Sequence, residues 1–98
     1  LKAVQNVESY IKNDRRNKFA FYIGGASHYQ MEEYEKALNY YLNAIELDSN
    51  FVDALFAIGM SYKKMDNLTE AIKTFEKVVN IDPDNKMALF ELRNLKTV

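Results

Sequence analysis

Residues 55–83 read LFAIGMSYKKMDNLTEAIKTFEKVVNIDP, and the spacing within this stretch decides the fold. Leu55, Ile58, Gly59 and Tyr62 fall at i, i+3, i+4 and i+7, the stripe of an amphipathic helix. Ala71, Phe75 and Val78 form a second stripe, widened by Ile72 and Val79. Between them lies Met65-Asp66-Asn67-Leu68-Thr69-Glu70, where Asn67 followed three residues later by Glu70 is a helix-start pattern. Pro83 disfavours helix at Asp82 and closes the stretch. Two helices joined by a short turn are predicted.

Working outward, the same pattern recurs 34 residues away. Gly25 pairs with Gly59, Ala37 with Ala71, Tyr41 with Phe75, Ala44 with Val78, Leu47 with Ile81 and Asp48 with Asp82. Six matches at one interval, each keeping size and polarity, identify an internal repeat. The step continues backward to Ala3, Val7 and Ile11, and forward from Ala54, Leu55 and Phe56 to Ala88, Leu89 and Phe90. One domain over 1–98 is expected: half a unit at 1–17, whole units at 18–51 and 52–85, and another half at 86–98. Helices are predicted near 2–13, 18–31, 35–48, 52–65, 69–82 and 86–96, with no strand. Connections this short make successive helices antiparallel neighbours.

A 34-residue helix–turn–helix unit is the period of the tetratricopeptide repeat. Leu55-x2-Ile58-Gly59-x2-Tyr62, then Ala71-x3-Phe75-x2-Val78 and Pro83, resembles that family's signature. Phe21-x3-Gly25-x2-His28 and Ala37-x3-Tyr41-x2-Ala44 resemble it in the unit before. Departures are Gly24 for the usual leucine, His28 for tyrosine, Ser49 for proline, and Arg93 where a small residue is expected, which marks the last helix as terminal or truncated. The resemblance implies an all-α fold, a right-handed α–α superhelix of antiparallel helix pairs whose first helices line a concave groove. The residues themselves say that small side chains recur where helices must approach closely. A mid-helix glycine costs about 1 kcal/mol relative to alanine, so Gly24 and Gly25 together imply that the gap between helices demands them. Packing roles are expected for Gly25, Ala37, Tyr41, Gly59, Tyr62, Ala71, Phe75 and Pro83.

Groove positions implied by the resemblance lie off the packing stripe of each first helix. In the first unit they are Phe19, Tyr22, Ile23, Ala26 and Tyr29. In the second they are Asp53, Phe56, Ala57, Met60, Lys63 and Lys64, and on the final helix Met87, Phe90, Glu91 and Asn94. Tyr22, Phe56 and Phe90 recur every 34 residues, as do Ala26 and Met60. An aromatic ladder edged by charges suits an amphipathic helix or an extended apolar peptide. One branch of the family grips the C-terminal carboxylates of chaperones with lysine, asparagine and arginine. The matching positions here are Tyr22, Ala26, Ala57, Met87 and Glu91, and none is the donor such a grip needs.

Charged residues make up 28% of the 98-residue chain and hydrophobic ones 48%, with a net charge of −1. The basic residues are interspersed with acids, so no nucleic-acid partner is expected. There is no cysteine and only one histidine, which excludes disulfides and thiolate metal sites, and no cofactor is expected. No apolar run approaches the roughly 20 residues that span a bilayer, so no membrane insertion is expected. A cytoplasmic chain is the default. The chain starts at Leu1 rather than Met, which reads as a processed chain or a segment of a longer protein.

His28 is expected on the packing stripe, Lys63 and Lys64 at a solvated helix end, and the Asn67-Leu68-Thr69 sequon as a helix cap. On the last helix Leu89, Leu92 and Leu95 look structural, while Met87 and Phe90 point elsewhere. No nucleophile–base pair, phosphate loop or metal cluster is evident, and no enzymatic activity is expected. The leading expectation is a non-catalytic protein–protein interaction scaffold that binds an apolar or amphipathic peptide or helix in its concave groove. The alternative is a structural spacer or a module that self-associates through an uncapped end of a larger protein.

Overall fold

The computed structural model describes residues 17–97. The helix expected near 2–13, and with it most of the first half unit, lies outside them. Five helices follow in order: α1 (Lys18–Gln30), α2 (Tyr34–Leu47), α3 (Val52–Lys64), α4 (Leu68–Ile81) and α5 (Lys86–Lys96). No described residue is in a strand. Each helix packs on its neighbours in sequence, and α1 also touches α3, so first helices of successive units lie side by side. The result is an all-α helical solenoid.

The turns repeat as faithfully as the helices. After α1, Glu32 adopts φ 61°, and after α3 Asp66 does the same. At the first turn the Glu32 amide donates to the Tyr29 carbonyl at 2.9 Å and the Glu33 amide to the His28 carbonyl at 2.9 Å. At the second, Asp66 donates to Lys63 at 3.0 Å and Asn67 to Tyr62 at 2.9 Å. This is the left-handed helix stop in which two amides beyond the last turn satisfy its orphan carbonyls. It ends α1 and α3 one residue before the predicted 31 and 65.

Between units the chain turns in another way. Asp48 and Asp82 leave the helix, their amides donating back to Ala44 at 3.1 Å and Val78 at 2.7 Å. Phe51 and Asn85 then donate to the Asp48 and Asp82 carbonyls at 3.1 and 3.0 Å. Ser49 and Pro83 therefore serve equivalent turns, because the backbone bonds rather than the pyrrolidine ring define the geometry. Asn17 and Asn85 cap α1 and α5, each accepting at 3.0 Å from the amide three residues on. Asn67 stands at the start of α4 but makes no side-chain cap bond.

The core runs along the stack as three buried clusters. Leu55, Ala71, Phe75, Val78, Ala88 and Leu92 join α3, α4 and α5. Ala37, Tyr41 and Ile58 join α2 to α3, and so do Ala44, Phe51 and Ala54 beside them. No unit closes its own core, so stability is shared between neighbours. What lies nearest the side-chain position of the buried glycines is a ring. A Cβ on Gly25 would stand 2.5 Å from the Tyr41 ring, and one on Gly59 2.6 Å from the Phe75 ring. Tyr41 and Phe75 reach across the gap and occupy the space the missing side chains leave.

One expectation for α5 is corrected. Ala88, Glu91 and Leu92 are buried and Leu95 half-buried, the i, i+3, i+4, i+7 stripe of this helix. Leu89 lies off that stripe and is 42% exposed. Its equivalent Leu55 is buried because α4 follows α3, whereas no described helix follows α5.

Candidate peptide-binding groove

The groove positions lie on α1, α3 and α5. Along α1, Phe19 stands edge-on to Phe51, ring centroids 5.4 Å apart. Tyr22 is half-buried against both Tyr41, at 5.7 Å, and Phe51, at 5.4 Å. Ile23 is 63% exposed. Tyr22, Ile23 and Ala26 line a shallow hollow of about 490 Å3 with Ser27, Gln30 and Met31. Tyr29, one turn further on, packs edge-on to Tyr34 at 5.1 Å.

On α3, Phe56 tilts against the buried Phe75 ring at 5.3 Å. Phe56, Ala57 and Met60 combine with Tyr29 and Tyr41 around an apolar cavity of about 230 Å3. Four of these five wall residues are groove positions of the sequence analysis. The fifth, Tyr41, is a packing position whose ring both fills the space at Gly25 and forms part of the wall. On α5, Met87 is 65% and Phe90 58% exposed, and Asn94 is also exposed. These three border neither the hollow nor the cavity. The 34-residue ladder is therefore uneven: Tyr22 and Phe56 lean on core rings, while Phe90 stands open.

Lys63 is half-buried rather than solvated, its Nζ donating to Glu91 Oε1 at 2.8 Å across α3 and α5. Glu91 is only 8% exposed. Lys64 and Asp53 are exposed. The walls carry neutral phenols. Burial pushes Tyr41 up to about 12, with smaller contributions from Tyr22 and Tyr29. Tyr22 is raised by burial and then by Asp53, and Tyr29 by burial, Tyr34 and then Glu91.

Two features escape the sequence analysis. Phe51 is buried beneath Phe19 and Tyr22, and Lys18 both approaches its ring at 4.7 Å and pairs with Asp48. The signal for Phe51 was present, since Asn17, Phe51 and Asn85 are spaced by 34 and a ring interrupts two caps. The Lys63–Glu91 pair joins residues 28 apart, and no local pattern announces it. His28 is half-buried, stacked on Tyr40 at 5.1 Å, with Nδ1 2.7 Å from Glu33 Oε1. The hydrogen bond to His28 lowers the Glu33 carboxyl below its ordinary range. Among the described residues no group of three His, Cys, Asp or Glu side chains is arranged to hold a metal ion. No helix there is long and apolar enough to cross a membrane.

The UDP-N-acetylglucosamine–peptide N-acetylglucosaminyltransferase of Giardia intestinalis is 37% identical over 67 residues, 68% of this chain and 4% of that enzyme. The ycf37 protein of Porphyra purpurea is 34% identical over 64 residues, 65% of this chain and 37% of that protein. The chain thus spans a minor part of these relatives. Among solved structures, the second TPR domain of the human RPAP3 protein, in complex with HSP70 peptide SGPTIEEVD, superposes with a TM-score of 0.86 at 28% identity. That match covers 96% of this chain and 78% of that domain's chain. A family model described as TPR repeat matches residues 25–66 and one described as tetratricopeptide repeat matches residues 52–85. The two stretches overlap and together span residues 25–85, and the chain belongs to the tetratricopeptide repeat family.

Proposed function

We propose that this chain is a non-catalytic protein-interaction scaffold that holds an apolar or amphipathic segment of another protein along α1, α3 and α5. The observation that carries this reading is the cavity at Tyr29, Tyr41, Phe56, Ala57 and Met60, apolar-walled and open to the outside. Ligand sites are concave and mostly apolar, with few polar groups. Support also comes from the RPAP3 domain, whose similar fold is in complex with a peptide. The glycosyltransferase named among the relatives is matched over 4% of its length, which lends its activity no support here. In this reading residues 18–51 and 52–85 are the two whole units, 1–17 and 86–98 are halves, and Tyr22, Ile23, Ala26, Met87, Phe90 and Asn94 extend the contact surface beyond the cavity.

A groove this short gives roughly micromolar affinity for one peptide, because ordering and association costs consume much of the contact energy. Methionine methyl NMR tests the assignment. Titration with an amphipathic helical peptide bearing leucine at i, i+3, i+4 and i+7 is expected to move the Met60 methyl and leave Met65 in place. Saturable binding that leaves Met60 unmoved would refute the cavity as the site.

A second reading, a spacer or self-association module, rests on the exposure of Met87, Leu89 and Phe90 on one helix. Light scattering at high micromolar concentration separates the two: a strict monomer counts against self-association.

A further inference from the structure

One turn beyond the apolar cavity on α3, past Met60, stands the Lys63–Glu91 pair, which is not part of the cavity lining. Phe56, Met60 and Lys63 follow at i, i+4 and i+7 along α3, so the wall that begins with Phe56 leads to the Lys63–Glu91 pair. Glu91 offers Oε1 to Lys63, and its Oε2 makes no hydrogen bond with any described residue. Among the described residues no buried side-chain oxygen or nitrogen lacks both solvent and a partner, so Oε2 keeps a small exposure although Glu91 is only 8% exposed. Tyr29 on the cavity wall is raised by burial, then by Tyr34, and least by Glu91. Size adds a second constraint. An apolar cavity of about 150 Å3 accommodates benzene, and this one, of about 230 Å3, has room for one leucine, methionine or phenylalanine side chain but not for a helix.

We infer that the cavity is a socket for a single bulky apolar side chain from an internal segment of a partner protein, and that Glu91 beside it accepts a lysine or arginine of the same segment. The inference rests on the groove reading and narrows it to an apolar-plus-basic motif. Charge complementarity selects this occupant. A free C-terminal carboxylate entering here meets Glu91, and the cation beside it, Lys63, is already engaged. An incoming guanidinium or ammonium finds an acceptor oxygen that no described residue uses. Charged hydrogen bonds of this kind discriminate more strongly than neutral ones.

The test is fluorescence anisotropy with labelled decapeptides, each carrying one leucine, methionine or phenylalanine and either lysine, glutamine or glutamate three or four positions away. Each is made with an amidated and with a free C-terminus. Amidated apolar-plus-lysine peptides are expected to bind about 5- to 10-fold more tightly than their glutamate counterparts, and freeing the carboxylate is expected to bring no gain. In Glu91→Gln the lysine preference is expected to collapse toward unity while binding of the glutamine peptides persists, which a loss of folding would not produce. Equal affinity for lysine and glutamate peptides, still with movement of the Met60 methyl, overturns this inference and leaves the groove reading standing. Tighter binding of free-carboxylate peptides overturns it as well. Absence of binding by every apolar peptide removes both.

Discussion

Gly24 and Gly59 meet aromatic rings at nearly the same distance, yet the two positions respond differently to a methyl group. A Cβ on Gly59 would stand 2.6 Å from the ring of Phe75, which is fully buried and held between α3, α4 and α5. A Cβ on Gly24 would stand 2.7 Å from Tyr40, whose ring is only partly buried and is stacked on His28 rather than held in the core. Helix propensity favours alanine over glycine by about 1 kcal/mol at either site, and overpacking a rigid core costs about 1–3 kcal/mol. Gly59→Ala is therefore expected to lower stability by up to about 2 kcal/mol net in urea unfolding, and Gly24→Ala to cost less or leave it unchanged. A stabilised Gly59→Ala protein would contradict the ring contact. Tyr41 makes a second prediction at this scale. Its phenol is pushed up to about 12 by burial, so the unfolded chain loses this proton first as pH rises. Stability is then lost between the ordinary tyrosine range near 10 and about 12, and is fully present below it. Absorbance titration at alkaline pH is expected to show a late-ionising tyrosine that disappears in Tyr41→Phe.

At the scale of elements, the repeat explains both what the sequence discloses and what it hides. Helix positions follow from apolar stripes such as Leu55-Ile58-Gly59-Tyr62, because burial needs the 3.6-residue period whatever the partner surface. Turn positions follow from polar clusters, but turn chemistry does not. Glu32 and Asp66 adopt φ 61°, a conformation that glycine enters freely and that costs an L-residue about 1–2 kcal/mol. Neither residue type signals it in the way glycine would. Replacing Glu32 by glycine is expected to raise the unfolding free energy by about 1 kcal/mol. Asp66→Gly is expected to gain less, since aspartate tolerates this conformation better than glutamate. Thermal denaturation checks both, and a lowered melting temperature in Glu32→Gly would contradict the turn geometry. Asn67 illustrates the same limit from the other side: its residue type and position suggest a cap, yet its side chain makes no such bond.

At the scale of the molecule, the solenoid is legible because each unit repeats the same demand for small and large side chains, as at Gly25 with Tyr41 and Gly59 with Phe75. The groove is legible only in outline. Off-stripe positions on first helices identify Tyr29, Phe56, Ala57 and Met60, but a period does not say which of them enclose space. The cavity forms where Tyr29 and Tyr41 of one unit face Phe56, Ala57 and Met60 of the next, and its depth depends on ring packing across α1, α2 and α3. The Lys63–Glu91 pair is a product of the same superhelix, which brings together residues 28 apart on two first helices. The most direct measurement of the groove's role is the effect of Ala57→Leu on peptide capture and stability together. The larger side chain fills the cavity with apolar volume, so the melting temperature is expected to hold or rise while binding of leucine-bearing peptides falls at least tenfold. Undiminished binding in a folded Ala57→Leu protein would contradict the assignment of this cavity as the capture site.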